Sequence, residues 1–142
     1  MKNYSLPLYI PTIFAFFFCL TLQAQEIYTI DESKLDHFIN EVYADKKQER
    51  VYAIPQKTEK LASQLQRVEI VKKNASHPKD MHLLSNIPVI NTYNKSLKVD
   101  TPFDPNSFNP LKYKFDFFRS DKSVYYLVDN SDYVIVIKPQ KK

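Results

Sequence analysis

Glycine is missing from all 142 residues. Average usage would place roughly ten in a chain of this length. Glycine reaches positive φ at no steric cost and lets a backbone approach a ligand closely. The chain therefore has no P-loop, no dinucleotide fingerprint, no Gly-x-Ser-x-Gly elbow and no standard EF-hand loop. That argues against nucleotide-binding enzymes and the commonest serine hydrolases. Trp is absent as well, which removes the strongest aromatic platform for sugars and cations.

Without glycine, turns fall to Asn, Asp and Pro. The clearest case lies in the last third of the chain. From Lys112 to Phe118, Tyr113, Phe115 and Phe117 alternate with Lys112, Lys114 and Asp116, the period of a strand with one buried face. A polar connection, 119–123, leads to Val124–Val128, which is β-branched and aromatic. Asp129-Asn130-Ser131-Asp132 reads as a second turn and Tyr133–Ile137 as a last strand. Its contiguous Val134, Ile135 and Val136 suggest a central strand, or one covered on both faces. The expected core is thus a C-terminal three-stranded antiparallel meander. Such a unit needs a further layer, for which one or two N-terminal helices are available. The fold class is α+β.

The beginning of the chain reads differently. Lys2 precedes an apolar run to Leu22, followed by Gln23-Ala24-Gln25, the pattern of a secretory signal peptide over residues 1–25. Pro7 and Pro11 interrupt the run, and what remains is too short to span a bilayer. Cys19, the one cysteine, lies inside this leader, so the processed chain would have no thiol, disulfide or thiolate metal site. Residues 26–142 are expected to form a single small α+β domain, exported to the periplasm or the exterior, with no membrane span once the leader is removed.

Thr29-Ile30-Asp31-Glu32 has capping-box spacing, with Asp31 and Ser33 as rival caps, for a helix running from about Glu32 to Gln48, since Leu35, Phe38, Ile39, Val42 and Tyr43 make one helical stripe. His37 and Glu41, four apart on its polar side, lack a third metal ligand in sequence. Val51–Ile54 reads as a short strand stopped by Pro55. Thr58 is positioned to cap a second helix carrying Leu61, Ala62 and Leu65. Val68 and Ile70 favour a strand over a continuing helix. Residues 74–111 form a long loop punctuated by Pro78, Pro88, Pro102, Pro105 and Pro110, each of which blocks a helix or central strand. Within it, Met81–Leu84 and Ile87–Ile90 are apolar enough to dock as short strands.

Two features of this loop are candidate sites. His77, Asp80 and His82 are the only metal-ligand types close together, and a fourth group from elsewhere would be needed to hold Zn²⁺ or Cu²⁺. Phe103 and Phe108 stand among turn formers. They either tuck under the loop as a satellite cluster or stay outside as a partner-binding patch. The carboxylate pairs Asp100/Asp104 and Asp129/Asp132 look like turn-forming Asp. Asn74-Ala75-Ser76 and Asn94-Lys95-Ser96 match the glycosylation pattern at a frequency chance would give.

The net charge is +4, with 20 basic and 16 acidic residues. Seventeen of the basic residues are Lys, interspersed with acids rather than gathered into the Arg/Lys stripe of a nucleic-acid surface. No nucleic-acid partner and no cofactor are expected. These observations favour a small exported binding or interaction protein of the bacterial cell envelope or exterior. It would not be an enzyme, and its partner would be another protein or an envelope component. A small secreted hydrolase, metal-assisted through His77, Asp80 and His82, is the alternative.

Overall fold

The computed structural model describes residues 30–119 and 121–140. The leader and residues 26–29 lie outside them. Helix α1, Glu32–Tyr43, starts at Asp31, whose side chain accepts from the Lys34 amide at 2.7 Å. A single 3₁₀ turn, Ala44–Lys46, and a π turn, Gln48–Tyr52, follow. The expected strand at 51–54 is therefore a helical turn. Val51 is fully buried with the α1 stripe, so its apolar character belongs to a helix face and not to a ladder. Helix α2, Lys57–Leu65, begins one position before the expected cap: Gln56, and not Thr58, is its N-cap.

Ala44 (φ 47°), Gln56 (φ 60°) and Asn130 (φ 54°) occupy positive φ. Ala44 ends α1 and Gln56 starts α2, places where a glycine would be free of the cost, about 1–2 kcal/mol, that a side chain incurs. Asn130 sits in the turn the sequence marks for it, where Asn tolerates this region best.

Four strands form one mixed sheet in the order β1-β4-β3-β2: β1 Val68–Lys72, β2 His82–Leu83, β3 Val124–Leu127 and β4 Tyr133–Ile137. Strand β4 is antiparallel to both β1 and β3, and β2 is parallel to β3. The hairpin β3–β4 and the central place of β4 match the sequence pattern. The segment 112–118 does not. It carries no strand beyond one bridge, Val89 to Tyr113. Its Phe115 amide donates to the Tyr113 carbonyl at 2.8 Å and its Phe117 amide to that of Phe115 at 3.1 Å. These are successive three-residue turns. Main-chain pairing with a neighbour is made at the start of the segment, where the Lys114 amide donates to the Pro88 carbonyl at 2.9 Å and the Lys112 carbonyl accepts from the Ile90 amide at 2.6 Å, and it does not extend into a strand. The third antiparallel neighbour is supplied by β1 instead.

The alternation of 113–117 is nonetheless real, because Tyr113, Phe115 and Phe117 are all buried. They lie in a cluster with Val68, Tyr126, Ile135 and Ile137, which share one sheet face, and with Phe108, Leu84 and Val128. The helices fill a second cluster: Leu35, Phe38, Ile39, Val42, Val51, Leu61, Leu65 and Leu111. The sheet face is thus covered by the irregular segment 103–117, and not by α1 or α2, which is a correction to the expected layering. At the seam, Leu111 turns to the helices and Phe108 and Tyr113 to the sheet. Among the described residues no helix is long and apolar enough to cross a membrane.

Candidate functional site

The charged groups that the fold draws inward meet at this seam. A 3₁₀ turn, Pro110–Lys112, is capped by Asn109, whose side chain accepts from the Leu111 amide at 3.0 Å. The turn aims Lys112 inward rather than outward, leaving that residue 6% exposed. Its Nζ lies 2.6 Å from Asp100 Oδ1 and 3.2 Å from Glu41 Oε1. Tyr113 donates its hydroxyl to Asp100 Oδ2 at 2.8 Å, and that hydroxyl accepts from the Asp100 amide at 2.9 Å. Asn109 Nδ2 donates to Glu41 Oε2 at 2.9 Å and to the Phe38 carbonyl at 3.1 Å. Asn94 Nδ2 donates to the Glu41 carbonyl at 2.8 Å. The cluster therefore ties α1 to the middle of the proline-rich loop, at Asn94 and Asp100, and to its C-terminal end, at Asn109 and Lys112. All four oxygens of Glu41 and Asp100 have a donor, as a buried charge requires.

Burial alone would lower the Lys112 pKa. The hydrogen bond and charge of Asp100, joined by Glu41, outweigh it and hold the ammonium above its usual value. Burial raises the Tyr113 hydroxyl well above its ordinary value, and the hydrogen bond to the Asp100 carboxylate adds to the rise. On the outer face of α1, Tyr52 donates to Asp36. Desolvation first, then that hydrogen bond, push Tyr52 from 10.0 to about 12. All three groups have folded values above their unfolded ones. Their contribution is complete below pH 10 and is lost as pH rises through the folded values. Denaturant midpoints followed by circular dichroism should therefore fall between about pH 10 and 12. A midpoint flat across that window contradicts these environments.

The other sequence candidates are dispersed. His77 packs tilted on Tyr125 at 5.9 Å between centroids, and His82 on Tyr126 at 5.6 Å. Adjacent strand residues face opposite sides of a sheet, so the two imidazoles are separated by it. The His77 Nδ1 already accepts from the Asn74 amide at 3.0 Å. Among the described residues no group of three or more His, Cys, Asp or Glu side chains is placed to hold a metal ion, and His77, Asp80 and His82 are not brought together. Zn²⁺ is expected to leave the thermal midpoint unchanged in both the wild type and His77→Ala/His82→Ala. A saturable rise confined to the wild type would restore the site.

The loop aromatics are tucked. Phe108 is 1% exposed, and Phe103 packs on it at 5.1 Å and on Tyr133 at 5.6 Å. Phe108 is thus core, and the pair presents no surface patch. Asp104 caps its own turn through Asn106 and Ser107. Asp129 holds the Ser85 amide and hydroxyl at 2.9 and 2.6 Å, and Asp132 pairs with Lys72. Asn74 and Asn94 each accept from the amide and hydroxyl of the serine two residues on.

A concave surface lies at the end of the sheet where α2 meets the 117–118 segment. This groove of about 350 Å³ is lined by Gln56, Lys60, Gln64, Arg67, Phe117 and Phe118, with Glu59, Ser63 and Gln140 completing it. Arg67 anchors its wall, donating to the Phe117 carbonyl at 2.7 Å and to the Lys138 carbonyl at 3.2 Å. Phe118 stands at its rim, 74% exposed. Sequence reasoning missed it because Phe118 ends an alternating run and reads as its last strand residue.

Fold and surface together define, over the described residues, a small α+β chain with a four-stranded mixed sheet, a clasp of inward charges and an aromatic-rimmed groove. No family model, curated protein or solved structure matches the chain.

Proposed function

We propose that this chain is a small exported binding protein of the bacterial cell envelope or exterior, making contact through the end of the sheet at Phe118. The single observation behind this reading is the exposure of that ring, 74%, beside a groove. An exposed aromatic beside a concavity is a chemistry that interaction anchors use. The charged cluster supports the same reading. Its carboxylate oxygens are each occupied by a partner within the cluster, so it serves as a clasp rather than as a free acid or base. The alternative, a metal-assisted hydrolase, draws on His77, Asp80 and His82, of which His77 packs on Tyr125 and His82 on Tyr126.

Two measurements test the proposal. A photo-crosslinking residue at position 118 in cells should give an adduct with a defined envelope or extracellular component. The same residue at the exposed position 95 should not. Cell fractionation should recover the chain outside the cytoplasm with a new N-terminus near Glu26. Recovery in the cytoplasm with Met1 retained, or no adduct specific to position 118, sinks it. Phe118→Ser should leave stability within about 0.5 kcal/mol, as for ordinary surface changes, while abolishing capture of that component.

A further inference from the structure

We infer that the groove between α2 and residues 117–118 receives a polypeptide segment bearing a carboxylate next to an aromatic side chain. The inference rests on the interaction reading above and names the chemistry of the partner.

The charge balance of the groove points to an anion. Lys60 and Arg67 line it against one acid, Glu59. Among the described residues neither cation has a carboxylate within ion-pair distance. Arg67 spends its terminal nitrogens on two main-chain carbonyls, and its Nε is buried without a partner. Desolvation lowers its pKa. A cation taken partly out of water without a counter-charge is unfavourable, and an incoming carboxylate supplies that charge. The excess is a single positive charge, which suits a carboxylate better than a phosphate dianion.

The apolar half of the ligand follows from the rings. Phe117 forms the wall and Phe118 the rim, with the Lys60 ammonium 5.9 Å from the Phe118 centroid. An aromatic group seated there stacks on Phe118 and shields the ion pair beside it. The side-chain amides of Gln56, Gln64 and Gln140 offer donors and acceptors together, which a peptide main chain uses and a free aryl acid does not. The volume accommodates about two side chains, at the small end of ordinary ligand sites.

The test is an amide-shift NMR titration of the exported protein with three probes: a blocked Ala-Glu-Phe-Ala peptide, its Ala-Gln-Phe-Ala twin and phenylacetate. The glutamate peptide should give saturable shifts confined to 59–67, 117–118 and 140, weakening as salt rises from about 50 to about 500 mM. The glutamine twin should bind about two- to fivefold more weakly, the range of an exposed ion pair. Lys60→Gln should lose a similar factor for the first peptide and none for the second. Equal binding of the two peptides overturns the anionic assignment, and phenylacetate binding as tightly as the peptide overturns the polypeptide source. No response at about 10 mM glutamate peptide overturns both. Crosslinking at position 118 stands apart from all three results, so an adduct there alongside failed titrations rejects this ligand chemistry while keeping the interaction reading.

Discussion

Phe108→Ala is expected to cost about 3–5 kcal/mol of unfolding free energy, the range for emptying a buried phenylalanine site. The ring is 1% exposed and contacts Phe103 at 5.1 Å, Tyr113 at 5.3 Å and Phe115 at 6.3 Å. It is the centre of the layer that covers the sheet, so its loss opens a cavity lined by three other rings. Domains of this size have only about 5–15 kcal/mol of stability in all, and the variant should sit near its threshold. Urea unfolding with an unchanged slope reads the loss as stability and not as a change in the denatured state. A cost below about 1 kcal/mol, ordinary for a surface position, would return Phe108 to the exterior.

Lys112→Ala is the second large effect. It removes the one cation between Glu41 and Asp100 and leaves two carboxylates facing each other at the seam. The expected loss at neutral pH is about 2–4 kcal/mol. This lies toward the lower part of the range for a broken buried pair, because the Glu41 side chain retains 31% exposure against 7% for Lys112. The mechanism is separable from simple loss of packing. In Glu41→Gln/Asp100→Asn/Lys112→Met, where no charge remains to be orphaned, most of the stability should return. If the triple variant is as unstable as Lys112→Ala, the alkyl stem and not the charge holds the seam.

What the sequence made legible is whatever reports burial along a single element. The stripe of α1, the strand at Val68, the β3–β4 hairpin and the double-sided burial of β4 are all of that kind. The run at 112–118 exposes the limit of such reasoning. Its side chains alternate as in a strand, yet its Phe115 and Phe117 amides bond back within the segment, because alternation records which side is dry and not what the amides pair with. Val51 misled in the same way, being apolar for the sake of a helix cluster. The charged clasp had no local signature. Glu41 lies on a helix face that reads as polar, Asp100 in a turn and Lys112 at an outward register. Only the three-dimensional closure of the proline-rich segment makes them neighbours. Arg67 and Phe118 escaped notice for the same reason, since they acquire meaning from the concavity between α2 and the 117–118 segment.

The position of β4 has a consequence for how the polypeptide matures. Its residues, Tyr133–Ile137, lie between β1 and β3, yet among the described elements they come after all the others along the chain. Until the ribosome has delivered them, Val68–Lys72 has no antiparallel neighbour to zip against, and the aromatic layer has only part of a floor. Closure across more than sixty residues is slow compared with local helix formation. Helices α1 and α2 can therefore form well before the sheet does, and β1 finds its partner only once β4 is in place.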